Sequence, residues 1–487
     1  MASTGNANKD RYKEYQKNYS KLIEAKTELA ILKKKLLEKE ALQNDEVHAI
    51  LLLRAGFVLI QLGSIPSANV YVILYQNVVN IATTIASFGS IGYTIAFGED
   101  LKGVIGYNKW FIYANSSDIN NAIVGFLATL IATGIITTVI CSRMHSSGYF
   151  FTIFLLSAII QPAIIHWVWN TEGWLYYRDF MDNEVSFRDQ SGGLIIHAFA
   201  GMVSLVCDLF FGRRLLLLSN ISELSIGVEA PGSSFVGYTF VILGLMGFSF
   251  TSFSYGGSLK NYSEILIINN LSAIAGGILA VVVLQCIFFK RSISYWNILR
   301  CMQGGLAGIV SVAPGVDIYT PEISFGIAAV SSIIFYCFAM FVMHKTSIED
   351  YCNVISVHLV CGIIGLLLPP LLGKSDIFVS KSIQTRLIYC LWQISTFTVL
   401  LFVLVCCTNL CLVLILCRKW RSSDEQVDHL RSVIAATNQE QKKPMIERIF
   451  TETADSLFIE PGPSNRNLTN LETDKKKPIS RVHRVEE

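Results

Sequence analysis

Charged side chains are scarce in the middle of this 487-residue chain, whose formal net charge is only +2. Residues 49–417 hold 16 basic and 17 acidic side chains, whereas an ordinary soluble domain is about 25% charged. The other charges are crowded into residues 1–48 and 418–487. A middle so poor in charge excludes a soluble globular domain and predicts a multi-pass membrane protein with polar ends.

Other signals are also absent. The near-zero net charge excludes a broad basic surface for nucleic acid. The 12 cysteines begin only at Cys141 and form no CxxC pair, so we interpret them as packing residues rather than as disulfide partners or metal ligands. No nucleophile elbow, phosphate-binding loop or zinc signature is present. The sequence therefore predicts neither an enzyme nor a cofactor or metal site.

Long apolar stretches fill the middle of the chain, and their length suits the ~20 residues that cross a bilayer. They are rich in small residues, which allow close helix packing in lipid. The predicted fold class is an all-α polytopic membrane protein with eleven transmembrane helices. The eleven segments cover about residues 49–65, 70–97, 120–141, 149–170, 191–211, 234–256, 264–289, 297–313, 322–343, 353–372 and 386–417.

The polar ends predict two further regions. Residues 1–48 are too charged for a signal peptide and read as a helical arm, which is either a self-associating stalk or a solvated, partly disordered segment. Residues 418–487 are predicted to form a largely disordered tail. Eleven spans place the termini on opposite sides, and the Lys and Arg distribution favours a cytoplasmic tail. We expect a plasma membrane protein with its N-terminus outside, where the sequons at Asn115 and Asn261 would also lie.

A pattern of three residue types occurs twice. The form Asp-x7-His-x3-Gly begins at Asp189 and recurs 161 residues later at Asp350, which places histidines at His197 and His358. On a helix, His and the following Gly share one face, so each ring lies beside a point where another backbone can approach. The two segments would cross the membrane in opposite directions. This arrangement predicts an inverted repeat of five helices, followed by a final long helix, with a polar site near the midplane.

The histidines allow more than one interpretation. A single intramembrane histidine can be a hydrogen-bonded packing residue, and this interpretation holds for His166, which has no counterpart in the other half. The matched pair His197 and His358 favours a substrate path, because polar groups in the hydrocarbon core are costly and are usually functional. A haem held by two histidines is a further alternative.

Around these histidines the chain resembles the Amt/Rh family of ammonium transporters, and more closely its Amt branch. The resemblance extends in order over about residues 50–420. It implies eleven spans, a homotrimer with one pore per subunit, and transport of ammonium, with methylammonium as a further substrate. The stretches that carry it are Gly92-Tyr-Thr-Ile-Ala-Phe-Gly98, His166-Trp-Val-Trp169, Asp189-Gln-Ser-Gly-Gly-Leu-Ile-Ile-His197, Gly244-Leu-Met-Gly-Phe248, Gly304-Gly-Leu-Ala-Gly308 and Val357-His-Leu-Val-Cys-Gly362.

The resemblance also implies roles for single residues. The family's substrate recruitment site matches Trp169 and Ser252, with Asp189 supporting it from below. A tryptophan face attracts an ammonium-sized cation, and a hydroxyl accepts one of its protons in a hydrogen bond. The family's pore histidines match His197 and His358.

Two positions depart from the family pattern. The family gate has two stacked phenylalanines, of which one matches Phe248; the other falls on Ala128, with Phe126 nearby but out of register. A family aspartate five residues before the second histidine is here Asn353, which keeps hydrogen bonding but loses the charge.

Together these features predict a transporter or channel that recruits ammonium at an outer vestibule, removes a proton and conducts ammonia through an apolar pore. Ammonia is neutral, whereas an intramembrane charge costs from ~3 to over ~10 kcal/mol. The alternative function is a receptor that binds ammonium and signals through its tails with little or no transport.

Overall fold

A computed structural model describes residues 51–417 apart from 65–69, 112–118, 142, 177, 212–230, 252–261, 289–294, 347, 349, 351 and 375–381. The predicted N-terminal arm and C-terminal tail lie outside the described residues, as do Ser252 and the sequons at Asn115 and Asn261. The predicted domain boundaries at residues 48 and 417 therefore stay predictions.

The described chain is built almost entirely from apolar helices, as the composition predicts. Four π-helical turns lie directly before an α-helix. In such a turn the backbone N–H bonds to the carbonyl five residues earlier. These turns are Phe88–Gly92, Leu156–Ile160, Gly193–Ala198 and Ile355–Val360. The α-helices are α1 Leu51–Ser64, α2 Val70–Ser87, α3 Tyr93–Phe97, α4 Ile119–Ile140, α5 Ser146–Leu155, α6 Gln161–Trp169, α7 Phe199–Phe211, α8 Pro231–Thr251, α9 Tyr262–Phe288, α10 Tyr295–Val312, α11 Pro321–Lys345, α12 Cys361–Leu367, α13 Pro369–Leu372 and α14 Ile383–Cys417.

Eight continuous helices within the described ranges are long and apolar enough to cross a membrane. Two of the other predicted segments form shorter apolar helices, Leu51–Ser64 and Ile355–Leu367. The remaining segment corresponds to α10, which contains the polar residues Arg300 and Gln303. The polytopic helical fold is thus confirmed, whereas the count of eleven spans stays a prediction.

Two short β-hairpins lie at one end of the helices, which we call the hairpin end. Strand β1 (Glu99–Leu101) pairs antiparallel with β2 (Ile105–Tyr107), and β3 (Arg178–Phe180) pairs antiparallel with β4 (Asn183–Val185). Each hairpin follows a helix that reaches this end, and each turn contains residues with positive φ, such as Gly103. The hairpins form part of the connections that follow α3 and α6.

Small residues let the helices approach closely, as expected for helices in lipid. Gly277 of α9 faces Gly304 of α10, and a Cβ atom on Gly277 would lie 2.1 Å from the Gly304 carbonyl oxygen. Ser332 of α11 donates a hydrogen bond to the same carbonyl at 2.8 Å. The three helices α9, α10 and α11 therefore pack backbone to backbone.

Two buried ion pairs hold the two ends of the segment that contains His197. At the hairpin end Arg188 pairs with Asp317, and at the opposite end Arg143 pairs with Asp208 of α7. All four side chains are almost completely buried. Removing one partner of a buried pair typically costs ~3–5 kcal/mol, so these contacts fix the position of this segment along the bundle axis.

Candidate functional site

The first histidine lies on a segment whose backbone is shaped by Asp189. The buried Asp189 carboxylate accepts hydrogen bonds from the backbone N–H groups of Gly193, Leu194 and Ile195, at 2.5, 2.8 and 3.0 Å. These are otherwise orphan donors at the start of the π-helical turn Gly193–Ala198. Asp189 thus fixes the beginning of the turn that presents His197.

The second histidine lies on a segment built in the same way. The Asp350 carboxylate accepts hydrogen bonds from the N–H groups of Val354 and Ile355, both at 2.7 Å. A π-helical turn follows, Ile355–Val360, and it contains His358. We call residues 189–201 and 350–362 the two histidine elements. The repeat found in the sequence is therefore also a repeat of local structure.

The two histidine elements cross with their directions opposed, and their glycines lie at the crossing. A Cβ atom on Gly201 would lie 2.5 Å from the backbone nitrogen of Leu359. A Cβ atom on Gly362 would lie 3.1 Å from the backbone nitrogen of Ala198. Each glycine thus packs against the residue that follows the other element's histidine, which fulfils the close approach that the spacing predicts.

At this crossing the rings of His197 and His358 meet edge to edge in nearly the same plane, Nδ1 to Nδ1. Their ring centroids are 5.1 Å apart with an interplanar angle of 12°, and their Nδ1 atoms are 3.1 Å apart. Both rings are buried, at 1% and 3% exposure. One Nδ1 must donate and the other accept in such a contact, so neutral rings leave one Nε2 as an acceptor and the other as a donor. The pair can therefore both accept and donate hydrogen bonds in series.

Trp169 is linked directly to the first histidine element. Its indole Nε1 donates a 2.7 Å hydrogen bond to the backbone carbonyl of Asp189. Its ring lies 6.4 Å from the ring of Phe248, centroid to centroid, with an angle of 32° between the planes. Both rings are buried, at 2% and 1% exposure. The structure brings these predicted site residues together and closes them off from solvent.

Phe126 does not join this group. Its ring contacts Phe88, with the centroids 6.4 Å apart. Ala128, two residues further along α4 and therefore on nearly the opposite face of the helix, is completely buried. The ring of Phe248 contacts that of Trp169.

Asn353 has a conformational role that the sequence comparison alone did not suggest. Its φ is +54°, in the left-handed region, and Gly192 of the first element has φ +82°. Both residues stand three positions after the aspartate of their element. The Asn353 side chain also donates a 2.8 Å hydrogen bond to Gln303, which in turn donates to the Tyr238 hydroxyl at 2.8 Å. Because Gly192 and Asn353 have the same spacing from Asp189 and Asp350, the sequence could have predicted that they adopt the same backbone conformation.

His166 lies in a hydrogen-bonded group at the hairpin end and is not part of the pair formed by His197 and His358. Its Nδ1 is 3.0 Å from the Ala96 carbonyl oxygen, and its Nε2 is 3.0 Å from the Asp100 carboxylate. Burial of Asp100 opposes ionisation, but its hydrogen bonds with His166 and the Gly103 N–H outweigh this and lower its pKa. These contacts agree with the packing interpretation of His166.

The carboxyls at the starts of the two histidine elements have raised pKa values. Burial raises the pKa of Asp189 to about 6, against the opposing effect of the backbone N–H groups of Ile195, Leu194 and Gly193. Burial also raises the pKa of Asp350 to about 7, and the nearby Asp208 charge adds to this effect. Both groups therefore titrate close to neutral pH.

These features define a multi-pass helical membrane protein in which two opposed helical elements bring a pair of histidines into contact through their Nδ1 atoms inside the bundle. Within the described residues no group of three His, Cys, Asp or Glu side chains could hold a metal ion. The sequence model of the Ammonium Transporter Family matches residues 47–429, and the chain belongs to this family. Members of this family are transporters and channels, so the protein is not an enzyme.

Two ammonium transporters align with most of this chain at low sequence identity. Ammonium transporter Amt2 of Archaeoglobus fulgidus is 24% identical over 358 residues, which are 70% of this chain and 74% of the relative. Ammonium transporter Amt1 of Methanocaldococcus jannaschii is 25% identical over 349 residues, or 70% and 82% of the two chains.

Solved structures share the fold. A structure titled Sensor Amt Protein aligns with a TM-score of 0.68 at 21% identity, covering 78% of this chain and 94% of the other. Mep2 of Saccharomyces cerevisiae aligns with a TM-score of 0.65 at 20% identity, covering 76% and 85%. At these identities the likeness establishes the architecture alone.

Proposed function

We propose that the protein transports ammonium by conducting ammonia past His197 and His358. The observation that supports this most directly is the contact between the two rings, whose Nδ1 atoms lie 3.1 Å apart inside an apolar bundle. A histidine pair that only stabilised packing would not need two matched elements that run in opposite directions. Two polar rings at the crossing of two repeats are typical of a substrate path.

Recruitment is proposed at Trp169, with Ser252 and Asp189. The face of a tryptophan attracts a partly desolvated cation by ~1–2 kcal/mol. The Trp169 N–H bonds to the Asp189 carbonyl, which fixes the orientation of the indole ring. The Asp189 carboxylate would add a negative charge below the ring, although its three N–H donors show that its main contacts are structural.

Phe248 is proposed as the gate. Its ring and that of Trp169 are almost completely buried, so a cation can reach the tryptophan face only when side chains move. Phe126 is not part of this proposal, because its ring contacts Phe88 instead. The gate would thus consist of one phenylalanine that moves against the recruiting tryptophan.

Passage beyond the gate requires loss of a proton. A bare ammonium ion in the apolar interior would pay the intramembrane charging cost, whereas ammonia is neutral. Ammonia has one lone pair and three N–H groups, and the histidine pair has one acceptor and one donor nitrogen free of the Nδ1 contact. The pair would therefore guide ammonia by alternately donating to it and accepting from it.

The oligomeric state, the membrane and the orientation of the protein are proposed from the sequence. We propose a homotrimer in the plasma membrane, with one pore per subunit, the N-terminus outside and the C-terminal tail cytoplasmic. Under this orientation the hairpin end, with Trp169 and Asp189, faces outward and supplies ammonium. Asp350 and Asn353 then mark the inner end of the path.

The direct test is uptake of ammonium and methylammonium in transport-deficient cells, with His197→Ala and His358→Ala beside the parent. We expect the parent to restore uptake and both variants to lose most of it, because each removes one ring of the pair. Surface-expression assays of all three proteins control for folding. Uptake by both variants at the parental rate would show that the histidine path is wrong.

Current recordings with ammonium across a pH series would then separate net charge movement from flow of neutral ammonia. A parent that binds ammonium but shows neither uptake nor current would instead identify the receptor function, which remains the second candidate. The fold it shares with the structure titled Sensor Amt Protein makes this outcome worth measuring.

A further inference from the structure

Gln161 is a polar side chain that the proposed path does not yet use. It is completely buried and stands at the start of α6, directly after the π-helical turn Leu156–Ile160. Trp169 ends the same helix eight residues later, so Gln161 lies about 12 Å deeper in the bundle than the proposed recruitment site.

The amide nitrogen of Gln161 joins α4 to the first histidine element. Nε2 donates a 3.0 Å hydrogen bond to the carbonyl of Ile195 and a longer one, 3.4 Å, to the carbonyl of Ala128. Ile195 lies two residues before His197, in the same π-helical turn. The amide is thus held beside the turn that presents the first pore histidine.

The amide oxygen of Gln161 is buried and has no hydrogen-bond partner among the residues that the structure describes. The orientation of the amide is fixed, because a flipped amide would set Oε1 against the two carbonyl oxygens that Nε2 now contacts. A buried acceptor with both lone pairs free is rare in proteins, and a bound donor is a common explanation. The donor must be small, because the surrounding core is closely packed.

Ammonium and ammonia are donors of this kind. Ammonium has four N–H groups and ammonia has three, and neither makes a steric demand beyond that of a water molecule. Each methyl group on an amine replaces one N–H donor and adds volume. A carbonyl acceptor that holds the substrate nitrogen in a closely packed site therefore favours ammonium and ammonia, because the methyl group of a methylated form must be accommodated against the surrounding core.

We propose that Gln161 is a binding residue for the transported species: its Oε1 accepts an N–H hydrogen bond from ammonium or ammonia beside the first histidine element. This inference rests on the proposed function and adds to it a contact beyond Trp169 and Phe248. Gln161 would thus contribute both affinity and discrimination against methylammonium.

The test compares Gln161→Met with Gln161→Glu. Methionine has a similar length without polar atoms, so it removes the acceptor; glutamate keeps two acceptor oxygens and can add a charge. We expect the half-saturation concentration for ammonium to rise about 3- to 10-fold in Gln161→Met and to fall in Gln161→Glu. Discrimination between ammonium and methylammonium should weaken in Gln161→Met.

If Gln161 acts only through its amide nitrogen, the two variants should change in the same direction. Both substitutions remove the amide N–H donors to Ile195 and Ala128, so a purely structural role would impair both variants in the same direction. The matched control is Gln61→Met in α1, another completely buried glutamine, whose amide contacts Thr138 and Asn77. This control should lower the melting temperature and leave the half-saturation concentration unchanged.

Binding is measured on the purified full-length protein as the rise in melting temperature with added ammonium chloride, with sodium chloride as the salt control. This readout does not require flux. A parent that binds without transporting would overturn the transport proposal, and the two Gln161 variants would still decide the assignment of Oε1. Equal shifts in both variants, or parental values in both, would overturn that assignment and leave a water molecule as the donor. A parent that neither binds nor transports would overturn both proposals.

Discussion

Gly192 and Asn353 occupy the same backbone position in the two histidine elements. Each stands three residues after the aspartate and five before the histidine, and each has a left-handed φ. Their carbonyls accept the N–H groups of Ile196 and Val357, at 2.9 and 2.8 Å. Glycine and asparagine are residues that adopt this conformation readily, so a change of residue type here preserves the shape of the turn.

This relationship predicts how Asn353 tolerates substitution. Asn353→Gly should fold and retain uptake, because glycine adopts positive φ without a steric penalty. Asn353→Val should be destabilised by ~1–3 kcal/mol relative to Asn353→Gly, since a β-branched residue is strained at this φ. Both variants lose the side-chain bond to Gln303, so comparing their melting temperatures isolates the backbone effect. Equal melting temperatures would contradict a conformational role for Asn353.

The repeated spacing predicted a close backbone approach beside each histidine, because residues four apart share one face of a helix. Contact between the two rings did not follow from this spacing. The offset of four between His197 and Gly201 was sufficient to predict a close backbone approach, and the structure places Leu359 at that point. Hydrophobic run lengths likewise predicted the helical membrane fold.

Other features could not be read from spacing. The π-helical turns depend on which carbonyl each N–H selects, and apolar periodicity does not encode this choice. The bond from Trp169 to the Asp189 carbonyl and the orphan oxygen of Gln161 depend on how distant segments pack. The resemblance gave Trp169 and Asp189 a role but no contact, and it did not include Gln161. Ala128 illustrates the limit, since its backbone carbonyl is what contacts Gln161.

The two glycines at the crossing should differ in their tolerance of a methyl group. A Cβ on Gly201 would lie 2.5 Å from a backbone nitrogen, whereas one on Gly362 would lie at 3.1 Å. Gly201→Ala must separate the two elements and should lose most uptake and several degrees of melting temperature; Gly362→Ala should lose less. Gly326→Ala in α11 is the control, because a Cβ there has no neighbour within 4 Å. An equal loss in all three variants would show that the crossing is not specifically tight.

Two substitutions of Trp169 separate the effect of its ring from the effect of its N–H group. Trp169→Phe keeps an aromatic face but loses the donor to the Asp189 carbonyl, and Trp169→Leu loses both. If the ring recruits the cation, the half-saturation concentration for ammonium should rise about 5- to 30-fold in Trp169→Leu and less in Trp169→Phe. Uptake kinetics across ammonium concentrations provide the measurement. The recruitment assignment is wrong if both variants keep the parental half-saturation value.

Asp350 should make the stability of the protein depend on pH in a defined direction. Burial raises its pKa from 3.8 to about 7, so between these values the folded protein binds a proton that the unfolded chain does not. The folded state of the parent therefore loses stability as the pH rises through this window, and no further change from this group is expected above about pH 7. Asp350→Asn keeps an acceptor oxygen for one of the Val354 and Ile355 N–H groups, which bond to different carboxylate oxygens, and it does not titrate. The loss of the other bond lowers stability equally at every pH.

The melting temperature of Asp350→Asn minus that of the parent should consequently increase from pH 5 to pH 7 and stay constant from pH 7 to pH 8. Glu322→Gln is the control, because a hydrogen bond from Thr320 lowers the pKa of Glu322 and that carboxyl stays ionised over the whole range. Its difference from the parent should not change between pH 5 and pH 8. A constant or falling difference for Asp350→Asn between pH 5 and pH 7 would mean that the buried carboxyl is already ionised there. Its hydrogen bonds from the backbone would then outweigh the cost of its burial.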